Sequence, residues 1–312
     1  MSEFEFFAPS YTIREACLQA SSFLAGHGVE ESRSNAELLL LHVLEVERSV
    51  LLRDWSFEQF PQEKAEAWVQ AVSRKAAGEP VQYIIGEQWF YGRPFTVTPA
   101  VLIPRPETEL LVEAVLEAAD RLWPPEGDTV PTVLDVGTGS GAIAVTLAAQ
   151  RPRWRVSASD LSPDALEVAR MNAARQEAAG RIAFVQGDLL APFAVGAEGS
   201  ASAGLAADVL VSNPPYIPAD DLPGLQREVR DFEPRLALDG GADGLDPYRR
   251  MVEQLPALRQ VPRIVGFELG MGQARDVAAL LEQYGAWDEV RIITDYAGIE
   301  RHVLAIRHAD QL

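Results

Sequence analysis

The amino-acid sequence predicts an α/β protein with a small all-α domain in front of it. Three observations carry that prediction. Residues 11–77 show the apolar spacing of helices. From Thr132 onward, short apolar runs alternate with helical stretches, the pattern of a parallel sheet covered by helices on both faces. Between them, Gly78, Pro80, Gly92, Pro94, Pro104 and Pro106 punctuate the chain. At 312 residues the chain exceeds one typical domain. The expected division is a helical domain over 1–85, a β-hairpin linker over 86–103 and a sheet domain over 104–312.

Taken in order, Leu38–Leu44 is an apolar run within a helix, with Ser34 or Asn35 as its N-cap. Pro61 opens another helix, and Gly78-Glu79-Pro80 closes it. Trp89–Thr98 reads as two strands turning at Gly92, a hairpin that bridges the domains. A helix follows the prolines of Ile103–Pro106 and runs to about Leu122. Strands are expected at Thr132–Val136, Arg155–Asp160, Arg181–Gly187, Asp208–Ser212 and Arg263–Leu269. Val290–Thr294 and His302–Arg307 form a closing hairpin and bring the strands to seven. Helices are expected at Gly141–Gln150, at Pro163–Gln176 and up to Tyr284. Ala197–Ala207 is rich in small residues and reads as a flexible surface insertion.

Composition removes several classes of function. The 27 Lys and Arg against 46 Asp and Glu give a net charge of −19. Bulk charge therefore opposes wrapping by nucleic acid, whose phosphates need cations. Cys17 is the only cysteine, which excludes a disulfide within the chain and a multi-cysteine metal site. It reads as a small core residue on a helix. The four histidines show no metal-ligand spacing, so no metal is expected. The N-terminus is acidic where a signal peptide is basic, and no apolar run approaches membrane-spanning length. A cytoplasmic monomer is expected.

Ligands of such sheets sit at the carboxyl ends of the strands. Asp135-Val136-Gly137-Thr138-Gly139-Ser140-Gly141 ends the first strand of the sheet domain and opens a helix. Glycines there let the backbone approach a ligand and adopt positive φ. Gly137-x-Gly139-x-x-Ala142 also satisfies a loose dinucleotide fingerprint. Asp160 ends the second strand, where a carboxylate can accept from both hydroxyls of a ribose; a helix cap is the alternative. NAD and S-adenosylmethionine (SAM) both carry such a ribose. Asp188 and Leu189 follow the third strand. The carboxylate can accept from an adenine amine and the leucine can cover the ring; a plain turn is the alternative.

Ser212-Asn213-Pro214-Pro215-Tyr216-Ile217 follows the fourth strand and is the most informative stretch. The prolines fix φ and remove two N–H donors, leaving rigid, unshared carbonyl acceptors. Asn213 adds a side-chain acceptor and donor. Tyr216 adds a flat face. Together they suit a planar group bearing an NH2. Such a nitrogen is a poor nucleophile because its lone pair is delocalised. Holding it in line with a methyl sulfonium supplies orientation. Hydrogen bonds that tighten as charge develops on nitrogen supply stabilisation. An NAD-linked oxidoreductase has no place for this motif, and a non-catalytic nucleotide sensor has no need of it.

On these residues the chain resembles the class I SAM-dependent amino-methyltransferases. It resembles more closely the release factor glutamine N5-methyltransferases, the PrmC/HemK family. The resemblance runs over nearly the whole chain. It includes Gly78–Gly86, Phe90-Tyr91-Gly92, Val101–Val112, Leu134–Gly141, Val211–Ile217, Arg227–Leu238 and Gly244-Leu245-Asp246. It implies a Rossmann-like seven-stranded sheet. It implies methyl transfer from SAM to the side-chain amide nitrogen of the glutamine in the Gly-Gly-Gln loop of class 1 peptide chain release factors, in support of translation termination. S-adenosylhomocysteine is the product. By the same resemblance Gly137, Thr138, Gly139, Ser140, Gly141 and Asp160 contact SAM, and Leu189 lines the adenine site, where some relatives carry an aromatic residue. Asp188 and Asn213 complete the expected cofactor set. Asn213, Pro214, Pro215 and Tyr216 would hold the glutamine, and the N-terminal helices would dock the release factor. The alternative is methylation of an exocyclic base amine in DNA or RNA, where Asn-Pro-Pro-Tyr also occurs. The charge of −19 weighs against it, so no stable nucleic-acid partner is expected.

Other segments keep two readings. Arg105, Glu107 and Thr108 either close over the cofactor or cap the following helix. Glu233-Pro234-Arg235 and Gly240, Gly241 and Gly244 either shape the substrate pocket or form a turn-rich connection. Glu268 ends the fifth strand without an assigned chemistry.

Overall fold

A computed structural model describes residues 11–54, 58–197, 199 and 202–308. The chain begins with α1 (Ile13–Gly26), α2 (Ser32–Leu44), α3 (Arg48–Asp54), α4 (Ala65–Ala76), α5 (Val81–Ile85), β1 (Glu87–Phe90) and β2 (Arg93–Thr96). Next come α6 (Pro106–Leu122), β3 (Thr132–Val136), α7 (Ala142–Gln150), β4 (Arg155–Asp160), α8 (Pro163–Arg175) and β5 (Ile182–Gln186). The remainder is β6 (Val209–Ser212), α9 (Arg227–Phe232), α10 (Asp246–Gln254), β7 (Ile264–Glu268), α11 (Ala274–Tyr284), β8 (Glu289–Thr294) and β9 (Glu300–Ile306). They form two compact units. One runs through Glu87 and includes Gln226–Phe232; the other holds Gln88–Leu225 and Glu233 onward.

The first unit is helical. A capping box starts α1: Thr12 Oγ1 accepts from the Glu15 N–H at 3.3 Å, and Glu15 Oε2 accepts from the Thr12 N–H at 2.8 Å. Helix α2 corrects the expected cap. It starts at Ser32, before Ser34 and Asn35, after Glu31 with φ of +47°. Asn35 spends its amide on the Glu30 carbonyl oxygen at 3.0 Å, so it donates backward where a cap would accept. Leu24, Leu39, Leu40 and Trp68 centre the core. Cys17 lies in it, and burial pushes its thiol up to about 11, which removes it as a nucleophile.

Lys75 of α4 is 1% exposed, and its Nζ donates to Glu228 of α9 at 2.6 Å. This bond holds a segment 153 residues away in sequence against the helices. Its two ends are unequal, because Glu228 is partly solvated and Lys75 is not. Glu228→Ala should cost roughly 3 kcal/mol by stranding a buried cation. Lys75→Met should cost clearly less, since Glu228 then returns to water. Chemical denaturation of the two variants checks the order; equal losses would contradict it.

The second unit contains the sheet, in the order β5-β4-β3-β6-β7-β9-β8. Strands β3 to β7 pair in parallel, and β9 runs antiparallel between β7 and β8. It is thus a mixed seven-stranded sheet, parallel as far as the closing hairpin. The central strands β3, β6 and β7 are short and buried on both faces, so alternate residues feed two cores. Val133 faces Leu111, Val115 and Leu147 on the side of α6 and α7. Leu134 faces Tyr248, Met251 and Leu281 on the side of α10 and α11. Phe90 and Phe95 of the hairpin are buried in the first of these cores and meet edge to face at 5.9 Å. Of the small-residue segment, Glu198, Ser200 and Ala201 lie outside the described residues. The Gly204 N–H bonds to the Phe193 carbonyl oxygen at 3.0 Å, and Ala207 is buried.

Candidate active site

The strand order reverses between β3 and β6. From β3 the chain builds outward to β5, and from β6 it builds the other way. A crevice opens beyond the carboxyl ends of two such strands. Val136 and Ser212 end these strands as register partners, and Ser212 Oγ donates to the Val136 carbonyl oxygen at 2.6 Å. Gly137 and Asn213 therefore emerge side by side. A cavity of about 630 Å³ lies there, within the usual range for small-ligand sites. Gly137, Thr138, Gly139 and Ser140 line it on the β3 side. Asp160, Asp188, Leu189, Asn213 and Pro215 line it as well. Gly141, Pro214 and Tyr216 do not.

The glycine loop is tethered from below. The N–H groups of Gly137 and Thr138 both donate to the Ser159 carbonyl oxygen at 2.9 Å. Gly137 and Gly139 have φ of +72° and +54°, and a Cβ on either would meet no atom within 4 Å. Bare backbone thus fronts open space. Gly141 is different: its Cβ would meet Ala169 Cβ at 3.2 Å, so it serves the approach of α7 to α8. Beneath the loop, Asp135 Oδ2 accepts from Thr138 Oγ1 at 2.7 Å and from the Ala144 N–H at 3.1 Å. Burial pushes the Asp135 carboxyl up to about 7.

Asn172 of α8 carried no signal in the sequence, yet it is fully buried and makes three backbone bonds. Its Nδ2 donates to the carbonyl oxygens of Ser140 at 2.8 Å and Thr96 at 2.9 Å, and its Oδ1 accepts from the Thr96 N–H at 2.7 Å. It fastens the glycine loop to the hairpin.

Asp160 uses both carboxylate oxygens on backbone: Oδ2 accepts from the Gly139 N–H at 2.8 Å, Oδ1 from the Ser162 N–H at 2.9 Å. The cap of α8 is Ser162, whose hydroxyl accepts from the Ala165 N–H at 3.2 Å. A carboxylate has about four lone-pair directions, so Asp160 retains acceptor capacity. Burial raises its pKa above the usual value. Asp188 is half-exposed and pairs with Arg250 at 2.5 Å. Leu189 has φ of +50°, a left-handed conformation that costs a residue with a Cβ about 1–2 kcal/mol.

Asn213 Nδ2 donates to Thr108 Oγ1 at 3.2 Å. Asn213 Oδ1 is buried and, among the described residues, accepts no hydrogen bond. The motif is clamped from behind. Ile217 exchanges bonds with the backbone of Leu238 and Gly240 at 3.0 and 2.9 Å, and Gln273 Nε2 donates to the Tyr216 carbonyl oxygen at 2.9 Å. A Cβ at Gly240 would lie 2.8 Å from Tyr216 Cα, and one at Gly244 would lie 2.2 Å from the Tyr216 carbonyl oxygen. These glycines therefore permit the close approach of two backbones. Burial, with Glu268 adding to it, pushes the Tyr216 phenol up to about 12. The ring stays neutral and is no proton acceptor near neutral pH.

The proline-rich segment has its own anchor. Buried Glu233 pairs with Arg105 and accepts from the Ile103 N–H at 3.4 Å. Thr108 lends α6 no side-chain cap; its hydroxyl goes to Asn213. Glu268 faces His302 across β7 and β9 at 3.6 Å, both buried.

The comparisons with known proteins agree along the chain. The PrmC N-terminal domain family matches residues 15–86, and the Methyltransferase domain family matches residues 133–231. A Moorella thermoacetica protein named release factor glutamine methyltransferase is 46% identical over 299 residues, spanning 96% of this chain and 100% of its own. A Bacillus subtilis protein of the same name is 42% identical over 300 residues, spanning 96% and 99%. Among solved structures, the hMettl16 catalytic domain in complex with MAT2A 3′UTR hairpin 6 superposes with a TM-score of 0.51 over 80% of this chain and 84% of that one. At 15% identity this is a likeness of fold.

Proposed function

The chain belongs to the release factor glutamine methyltransferases, and from that membership we propose how its residues do the work. It methylates the side-chain amide of a release-factor glutamine, at N5 in the Gly-Gly-Gln loop, with SAM as methyl donor. The helical unit docks the release factor, and the protein works in the cytoplasm.

One observation carries the assignment of the site: Asn213 Oδ1 is a buried acceptor in the cavity wall, at the strand-order reversal, that receives no donor among the described residues. An amide NH2 supplies the missing donor. The cavity also fits SAM. Open backbone at Gly137 and Gly139 accommodates close approach, Asp160 has lone pairs for ribose hydroxyls, and Leu189 offers an apolar wall. Bound there, SAM supplies an electrophilic methyl group. Asn213 Oδ1 and a carbonyl oxygen of the proline pair accept the two N–H bonds of the glutamine. These bonds tighten as the nitrogen gains positive charge. Tyr216 does not line the cavity; its backbone, held by Gln273, fixes the loop that presents these acceptors. The nitrogen then releases one proton to water, because an N-methylated amide cation is a strong acid.

Incubation with methyl-labelled SAM and, separately, a class 1 release factor, RNA and DNA tests this. Label should appear on the release factor and map to the glutamine of Gly-Gly-Gln. Label in nucleic acid but not in the protein would overturn it.

A further inference from the structure

We propose that Thr108 is a positioning residue that anchors the Asn213 amide by its Nδ2 end, so that Oδ1 is left facing the substrate nitrogen. The two ends of an asparagine amide are nearly equal in size and opposite in polarity. Turned the wrong way, Asn213 would set its donors against the donors of the substrate. A threonine hydroxyl can donate or accept, so it fixes the plane and place of the amide rather than choosing between its ends; in the structure the end it holds is Nδ2.

Thr108 is suited to that task. It is 4% exposed and lines the cavity. Its β-branched side chain has few rotamers. Its Oγ1 receives Asn213 Nδ2 at 3.2 Å, while Asn213 Oδ1 is left unused. Its backbone is fixed too: the Thr108 N–H donates to the Arg105 carbonyl oxygen at 3.1 Å, and Arg105 pairs with buried Glu233. The line of support runs from Glu233 through Arg105 and the first turn of α6 to Thr108 and Asn213. Residues 105 positions apart in sequence are thereby brought into one arrangement. The identity of the substrate rests on the glutamine reading above; the anchoring of Asn213 does not.

The experiment compares T108V, which keeps shape and removes the hydroxyl, with T108S, which keeps the hydroxyl. T108V should lower kcat about 10-fold or more, with KM for the release factor and Kd for SAM within roughly threefold. T108S should retain kcat within about threefold of the parent chain. In an N213A background, T108V should add no further loss. A T108V enzyme with unchanged kcat, or a T108S enzyme as slow as T108V, would overturn the proposal. A second readout needs no substrate. The Asn213 side-chain amide resonance, identified by its loss in N213A, should shift in T108V and return in T108S; an unshifted resonance overturns the proposal. If the parent chain labels no release factor, the glutamine reading fails, and this resonance still decides the role of Thr108.

Discussion

Replacing Asn213 by alanine should lower turnover ~10²-fold or more while SAM affinity changes only a few-fold. The two halves of this result have different causes. The glutamine nitrogen is a weak nucleophile in the ground state, and its N–H bonds strengthen as donors only as charge develops. An acceptor aimed at them acts mainly on the transition state. Asn213 Oδ1 is such an acceptor: buried, without a competing donor among the described residues, and carried on a loop stiffened by two prolines. The elements that would hold SAM instead come from β3, β4 and β5 and remain intact. Single-turnover kinetics with labelled SAM, together with calorimetry, separates the two. Near-normal turnover would remove Asn213 from the role assigned to it. Asn213→Asp is a sharper companion, since a carboxylate offers acceptors but Thr108 can answer it only by turning its hydroxyl round to donate, which occupies one of them. It should recover less than a simple count of acceptors suggests.

Much of this arrangement was legible in the sequence. The strands at Thr132–Val136 and Arg155–Asp160 match the sequence reading to the residue: the first is an apolar run that stops at the glycine motif, and the second ends at the carboxylate before the Ser162-Pro163 helix start. Position at a strand end in turn made Asp160 and Asn213 candidates before any contact was known. What escaped was non-local. Residues 226–232 lie far along the chain from the helices they pack with, and periodicity reports a pattern, not a partner. Asn172 is one asparagine inside a helix, and nothing in its neighbours announces that it holds Thr96 and Ser140. Thr108 had a good local explanation as a helix cap, which concealed the bond to Asn213. Gly240 and Gly244 read either as shaping the substrate pocket or as turn residues; only the backbone of Tyr216 lying against them shows why a side chain has no room there.

Asp160→Ala should weaken SAM binding ~10²-fold, while Asp188→Ala should cost only a few-fold. The difference follows from surroundings, since both are carboxylates at strand ends. Asp188 is half-exposed and already paired with Arg250, so water and that guanidinium replace much of what it offers. Asp160 is largely enclosed, holds the Gly139 and Ser162 N–H groups, and keeps lone pairs for ribose hydroxyls. Its loss removes charge-assisted bonds to the ligand and also releases the tip of the glycine loop. The pH dependence has a definite sign. Burial raises the Asp160 pKa above 3.8, and its backbone bonds offset only part of that rise. Binding needs the carboxylate, so SAM affinity should fall as pH drops through this raised value. The ligand-free protein behaves oppositely with respect to this group. A proton is held more tightly in the folded state, so the stability that this group contributes is full below pH 3.8 and is lost as pH rises through the folded pKa. Calorimetric titration of SAM on the parent chain and Asp160→Ala, from neutral pH downward as far as the fold persists, checks the affinity loss and its pH dependence. Unchanged affinity in the variant would leave Asp160 as a loop anchor alone. A pH profile identical in the two proteins would assign the titration to another group.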